Sequence, residues 1–353
     1  MDFPGKPKFG TYAYSSEFLE KFSFFGGVAV NTQFDTDMFG LFEYHKFYPT
    51  LFLELYQVRR QTSEEETYLD YDVKFDLLGA TFGARWPIDG INSVKTALDY
   101  SRYRSQGSGI EKYQKVFFKW ASTYHKGTTL QLEWKHKLIP PHLLAAIAPR
   151  VGRNFTVRVD HAWQSFYDST SVNSKYGTPV DEYLDYSYNQ YSIDWIEYFP
   201  SLFSTHSFMA RFKGGYIDKP IDGFYHFYAG GLEGMKGYPF YSMEGRKLIH
   251  AELAYRFPLI RNINLNLAML HFKDAFISVY GDVGNAWISG KLDNSDLKRD
   301  VGVQLRVSTF AYYGFPMKIA FDAAYGLDSF TSQETKYGKE WRYYFTLLFD
   351  FMD

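Results

Sequence analysis

The sequence predicts an all-β fold: a transmembrane antiparallel β-barrel of about 16 strands. Three observations predict it. The chain of 353 residues is 20% aromatic, with Tyr 31 and Phe 34, yet 22% of it is charged and its mean hydropathy is negative. An aromatic-rich chain that is polar on average fits a strand pattern in which every second residue is apolar. Period-two alternation then recurs along most of the chain. Finally, no apolar run approaches the roughly 18 residues of a spanning helix. A membrane β-strand needs only about 10 alternating residues and leaves no hydropathy peak.

Composition also excludes several classes. With Cys 0, the chain offers no thiolate metal site, redox motif or disulfide. A net charge of -2 suggests no nucleic-acid partner. No cofactor is expected. Met1 to Gly10 does not read as a cleavable signal peptide, so an exported chain would be mature or truncated.

Taken in order, Met1–Glu20 mixes Pro, Gly and charge and reads as an N-terminal lead-in (1–20) to a barrel over 21–353. Phe24 to Thr32 is expected as the first strand. Thr36 to Gly40 should turn the chain and Leu41 to Phe47 should run back. Tyr48-Pro49-Thr50 reads as a tight connection, because proline removes a ladder donor. Leu51 to Val58 follows, and the charged run Arg59 to Thr67, with Glu64-Glu65-Glu66, reads as a solvated loop. Tyr71 to Trp86 and Val94 to Arg104 are expected strands around a turn at Pro87 to Gly90. Ser105 to Gly109 is expected as a loop.

The middle of the chain alternates most clearly. Phe118 and Trp120 form one short strand pattern, His125-Lys126-Gly127 a hairpin turn, and Leu130, Leu132, Trp134 and Leu138 the next strand. Pro140 to Pro149 suggests a helical turn or two in a loop. Phe155, Val157, Val159 and Trp163 alternate with Asn154, Thr156, Arg158 and Asp160. In the polar stretch Gln164 to Tyr188 either the strand parity slips or the chain carries an insertion. Strand patterns resume at Gln190–Tyr198, Ser207–Tyr216, Phe224–Tyr228, Lys247–Phe257, Phe276–Trp287, Val301–Thr309, Met317–Tyr325 and Arg342–Phe351.

A soluble sandwich would not fit these faces. Rings recur near strand ends, at Tyr48, Trp86, Trp120, Trp134, Trp163 and Trp287, as in interfacial girdles. The polar faces carry both charges, such as Glu252 and Arg256, which a wet lumen accommodates and a dry core does not. At the C-terminus Tyr343, Phe345, Leu347, Phe349 and Phe351 alternate, followed by Met352 and Asp353.

Between two strand patterns lies Gly230-Gly231-Leu232-Glu233-Gly234-Met235-Lys236-Gly237-Tyr238-Pro239. It is too rich in glycine for a strand or helix and can fold back on itself. Further on, Asp282 stands between Gly281 and Gly284. The loop motif Gly230-Gly231-x-x-x-Met235-Lys236-Gly237-Tyr238, the strand Ala251 to Pro258 and the strand Tyr280 to Trp287 together resemble, in order and spacing, the bacterial surface antigen superfamily of BamA-like barrels. That resemblance implies a sixth extracellular loop, here 229–245, folded into the lumen. It implies a loop latch formed by Gly230, Gly231, Lys236, Gly237 and Tyr238, with Glu252, Asp282 and Gly284 as its partners. Lys236 stands where the family has Arg, and a lysine cannot make the planar bidentate contact of a guanidinium. The resemblance also implies a weak first-to-last strand seam, expected at Val28 and Val30 on one side and Phe345 and Phe349 on the other.

By this resemblance, the function is insertion, assembly or translocation of protein or lipid at a bacterial-type outer membrane. Partners would be the bilayer, client outer-membrane or secreted proteins, and periplasmic or lipoprotein accessory subunits. The alternative is a passive pore or structural barrel with the loop as a plug. No Gly-x-Ser-x-Gly elbow or paired-carboxylate cluster points to an enzyme. His250 and His271 lack a paired His or Cys at ligand spacing, so no metal site is expected.

Overall fold

The computed structural model describes residues 8–349, apart from 20, 66–68, 112–116, 140–148, 174–176, 294, 312–314 and 333. Among the described residues, sixteen strands form one antiparallel sheet, as the alternation predicts. The chain falls into two compact units, Met1–Trp134 with Val159–Asn189, and Lys135–Arg158 with Gln190–Asp353.

The first unit carries β1 (Phe9–Ser16), β2 (Phe22–Val30), β3 (Thr36–Tyr44), β4 (Thr50–Glu65), β5 (Leu69–Pro87) and β6 (Asn92–Glu111). Three long strands, β7 (Phe117–Leu138), β8 (Gly152–Val172) and β9 (Pro179–Pro200), contribute to both units. The second unit continues with β10 (Ser207–Ile217), β11 (Phe227–Tyr228), β12 (Glu244–Gly245), β13 (Lys247–Ile260), β14 (Leu265–Leu267) and β15 (Leu270–Trp287). It ends with β16 (Lys298–Ala311), β17 (Phe315–Gly326), β18 (Phe330–Ser332), β19 (Thr335–Tyr337) and β20 (Trp341–Phe349). The sheet order follows the chain from β1 to β10, then runs β13, β15, β16, β17, β20, with β14 paired to β15. The pairs β11–β12 and β18–β19 lie outside it.

Burial in this sheet is the reverse of a soluble protein's. In the second unit Leu253, Val279, Val303, Phe321 and Leu347 are exposed, and Phe345 is 67% exposed. The residues between them on the other face are polar and buried: Ser278, Asp282, Asp300, Gln304, and Asp322 at 1% exposure. The first unit repeats the pattern, with Phe82, Leu98, Leu130, Leu132 and Trp134 exposed and Thr81, His125, Asp160 and Gln164 buried. Apolar side chains facing out of a sheet are stable only where the surrounding solvent is itself apolar, which is the condition of a membrane strand.

Several sequence expectations are corrected. Phe9–Ser16 is not a lead-in. It is a strand, and it pairs with Phe22–Val30 over its full length. Val28 and Val30 therefore lie on the second strand, with hydrogen-bonded neighbours on both sides, and not on the first as the seam expectation required. Thr36 to Gly40 is strand; the turn is Asn31 to Asp35, where the Asn31 side-chain oxygen accepts the N–H groups of Gln33 and Asp35 at 2.9 Å each. The charged run from Arg59 continues β4 to Glu65, braced across strands by Arg60 to Asp37 at 2.5 Å and Arg59 to Asp76 at 3.7 Å. Ser105 to Gly109 likewise continues β6.

His125-Lys126-Gly127 makes no turn, because β7 runs unbroken through it. Gln164 to Tyr188 is no insertion. It is the end of β8, a short connection and the start of β9, with Asn173 N–H bonding Thr178 O at 2.9 Å. Phe224 to Tyr228 is not a sheet strand but a 3-10 turn, Gly223–Tyr225, followed by β11. The expectations for Pro140 to Ala148, Glu66 and the last residues Phe351 to Asp353 lie outside the described residues.

Candidate functional site: a loop docked on the polar face

The chain between β10 and β13 is ordered by its own backbone before it touches the sheet. Asp222 accepts from Phe224 N–H at 2.8 Å and starts the 3-10 turn. Met235 N–H returns to Ala229 O at 2.8 Å, Gly231 N–H reaches Tyr238 O at 2.9 Å, and Ala229 N–H reaches Met243 O at 3.0 Å. Gly231 sits at φ 84°, a conformation open to glycine and strained for other residues. The folded loop buries Met235, Tyr238 and Met243 together with Ala229, against Ala286 of β15.

Tyr238 anchors the outer end. Its ring is fully buried. Its hydroxyl donates to Arg299 O at 2.8 Å and accepts from Asp328 N–H at 3.0 Å. Burial pushes the phenol up to about 12, so it stays a neutral donor at physiological pH. The Asp328 carboxylate is gripped in turn by the Arg299 guanidinium at 2.8 and 3.0 Å. That hydrogen-bonded cation holds Asp328 below its ordinary value.

Gly237 is the point of closest approach. Its N–H donates to Asp300 Oδ2 at 2.5 Å. A β-carbon there would meet the Asp300 Cβ at 2.6 Å and the Gly326 N at 2.7 Å. Gly326 is equally constrained, since a β-carbon on it would meet the Gly237 carbonyl oxygen at 2.8 Å. Two glycines thus let the loop backbone lie directly on the backbone of β17. On the other side of Gly237, the Lys236 carbonyl accepts from the Tyr344 hydroxyl at 2.9 Å.

Lys236 points down onto the wall. Its Nζ lies 3.3 Å from Asp322 Oδ1 and 4.1 Å from the centroid of the Tyr280 ring. The Asp322 carboxylate is also held by Gln304 Nε2, at 2.9 Å to each oxygen. The ammonium is therefore neutralised by one carboxylate and faced by one π-cloud, both well buried.

The structure brings Gly230, Gly231, Lys236, Gly237 and Tyr238 together, but it changes the partners. Asp282 is not the carboxylate that takes Lys236. It is bonded by His250 Nε2 at 3.2 Å and sits beside Asp300 in the register, while Asp322 on β17 meets the lysine. Glu252 faces the space under the loop without an ion pair among the described residues. Gly284 stands against the β13 backbone at Ile249 and His250, where a β-carbon would meet Ile249 O at 2.5 Å, and not against the loop. Adjacent strands align Arg211, Glu252, Asp282 and Asp300 in one transverse row. Charge is thus concentrated under the loop by register alone.

Sequence reasoning missed Asp300, Asp322, Tyr280 as a ring partner, and Tyr344. Strand parity could have found the acids. Asp300 shares a face with Gly302 and Gln304, and Asp322 shares one with Ala320 and Ala324, opposite the apolar Val301, Val303 and Phe321.

No family model and no curated protein matches the sequence. Solved structures do match. BamA from Haemophilus ducreyi, in a crystal structure lacking POTRA domains 1-3, aligns with a TM-score of 0.60 at 13% identity over 97% of this chain and 67% of that one. CdiB from Escherichia coli aligns at TM-score 0.57 and 12% identity, over 96% of this chain and 59% of that chain. CdiB from Acinetobacter baumannii aligns at 0.52 and 13%, over 96% and 56%. The fold is therefore that of a bacterial outer-membrane β-barrel. Within that class it shares the barrel fold of BamA and CdiB. The chain spans about two thirds of the BamA chain and a little over half of each CdiB chain.

Proposed function

We propose that this chain is an outer-membrane barrel that inserts or translocates client proteins, with loop 229–245 as an internal latch. The observation that carries this is the buried Lys236–Asp322 contact at 3.3 Å. A loop that merely filled space would need no buried ion pair; apolar packing of the same volume would hold it as well. A charged contact supplies a discrete docked state, which a change in the wall could release. The work is done by strand pairing and by perturbing the bilayer, without bond chemistry.

The opening step is proposed at the ends of the sheet order, which begins at β1 and ends at β20. The position for a cysteine on the first strand is Tyr12, in place of Val28; on the last it remains Phe345. A disulfide between such cysteines should abolish the acceleration of client folding in proteoliposomes, and reduction should restore it. Full activity of the oxidised barrel would contradict the seam. A steady, ion-selective conductance in planar bilayers that ignores Lys236→Ala would favour a passive pore with the loop as its plug.

A further inference from the structure

A cavity of about 340 Å³ separates loop residues Leu232 to Lys236 from the polar face of the sheet. Its two ends differ. Under the loop the cations are matched, Lys236 by Asp322 and Arg211 by Asp194 at 2.7 and 2.9 Å. At the other end two guanidiniums enter from opposite sides of β15, Arg256 from β13 and Arg306 from β16. Arg306 is held by its bond to Gln304 Oε1 at 2.6 Å, and Gln304 is oriented by Asp322. Arg256 lies over the Tyr198 ring at 5.4 Å and makes no ion pair among the described residues; its Nε is buried without a partner.

Two more hydrogen-bonding groups lining the same cavity are buried and unpartnered, the Tyr280 hydroxyl and Thr346 Oγ1. Buried donors are ordinarily satisfied, and three unpartnered groups on residues around one space leave donors that an acceptor entering it can reach by side-chain rotation. Glu252 cannot be that acceptor for Arg256. It lies four residues away on the same strand face, about 13 Å along the strand. The remaining wall is apolar, from Ile196, Met209 and Ala320. The volume is that of a small-molecule pocket rather than of one bridging water.

We propose that this end of the cavity binds a small organic phosphate, with Arg256 and Arg306 taking the oxyanion, Thr346 and Tyr280 donating to it, and the apolar wall taking a short alkyl group. The phosphate could be a free monoester or the headgroup of an anionic lipid. The site shares Tyr280 and, through Gln304, Asp322 with the Lys236 contact, so its test turns on Arg256 and Thr346, which are not partners of Lys236.

The test uses butyl phosphate and, separately, vesicles with and without phosphatidic acid. The chain is refolded into non-ionic detergent or phosphatidylcholine vesicles, with the heat-modifiable gel shift as the folding control. Butyl phosphate should broaden in its phosphorus NMR signal and raise the unfolding temperature saturably. Arg256→Gln should weaken binding at least about tenfold, and Arg256→Lys should weaken it less. Thr346→Val, a mild change, should weaken it measurably without altering the gel shift. Arg256-dependent broadening of the phosphatidic acid signal, without binding of the free ester, would identify the source as lipid. Equal binding by Arg256→Gln and the parent chain would overturn the proposal. So would the same stabilisation by sodium chloride at matched ionic strength, or no response to either phosphate.

Discussion

Lys236 carries the residue-scale argument. Its ammonium is taken from water and repaid by one carboxylate and one aromatic face. Removing the cation leaves Asp322 buried with Gln304 as its donor among the described residues, and breaking a buried pair in this way costs about 3–5 kcal/mol. Lys236→Ala should lower unfolding stability by roughly that amount, whereas Lys291→Ala, at an exposed lysine, should change it by less than about 0.5 kcal/mol. Urea titration of the folded barrel reads the difference; equal effects would contradict the contact. A lysine where the resemblance implies an arginine has a physical account. The lysine faces one carboxylate oxygen rather than a bidentate pair, and a point charge suits that geometry.

At the scale of the loop, backbone shape matters as much as charge. Gly237→Ala forces a β-carbon against Asp300 and the β17 backbone, so the loop should lift and trypsin should cut after Lys236 at least about tenfold faster. Unchanged cleavage would show that the backbones do not meet there. The outer anchor is pH-sensitive in a defined direction. Arg299 lowers the Asp328 pKa in the folded state, so its contribution is present above the unfolded pKa and is lost as pH falls through the folded value. Loop protection from trypsin or from pepsin should therefore fall on acidification below the ordinary carboxylate range, and Asp328→Asn should flatten that dependence.

The same scale shows what the sequence could and could not reveal. The strands of the C-terminal third were legible because burial alternates sharply there: Leu253 against Ala254, Val303 against Gln304, Phe321 against Asp322. The middle was misread where a rule from soluble proteins was applied. Charge at Arg59 and polarity at Gln164 suggested loops, yet membrane strands extend past the bilayer, and their polar ends are braced by cross-strand contacts such as Gln164 to Thr129 at 3.0 Å. Gly127 suggested a turn, although Trp120, Leu130, Leu132 and Trp134 keep one parity across it, as a single strand requires. Phe9–Ser16 was hidden because it is short and exposed on both faces. The glycine-rich loop was visible from motif order; the acid that meets Lys236 was not, because which acid faces a loop is decided by register between strands distant in sequence.

For the whole molecule, the apolar side chains that face outward from the sheet have no stable place in water, and the polar face is built to hold charge. The fold shared with BamA and CdiB barrels fits that division. The proposed function adds two moving parts, a docked loop and a seam, and they should be coupled. Loosening the loop with Lys236→Ala should lower the yield of β1-to-β20 crosslinking between cysteines at Tyr12 and Phe345 severalfold, because a latch that restrains the seam keeps those cysteines together. Identical yields in both backgrounds would separate the two parts.

The latch itself is tested most directly by a double-mutant cycle on unfolding free energy. Lys236→Ala and Asp322→Ala, singly and together, should show a coupling of at least about 1.5 kcal/mol, while Lys236→Ala with Asp282→Asn should couple more weakly. Additive effects for Lys236 and Asp322 would contradict the docked loop.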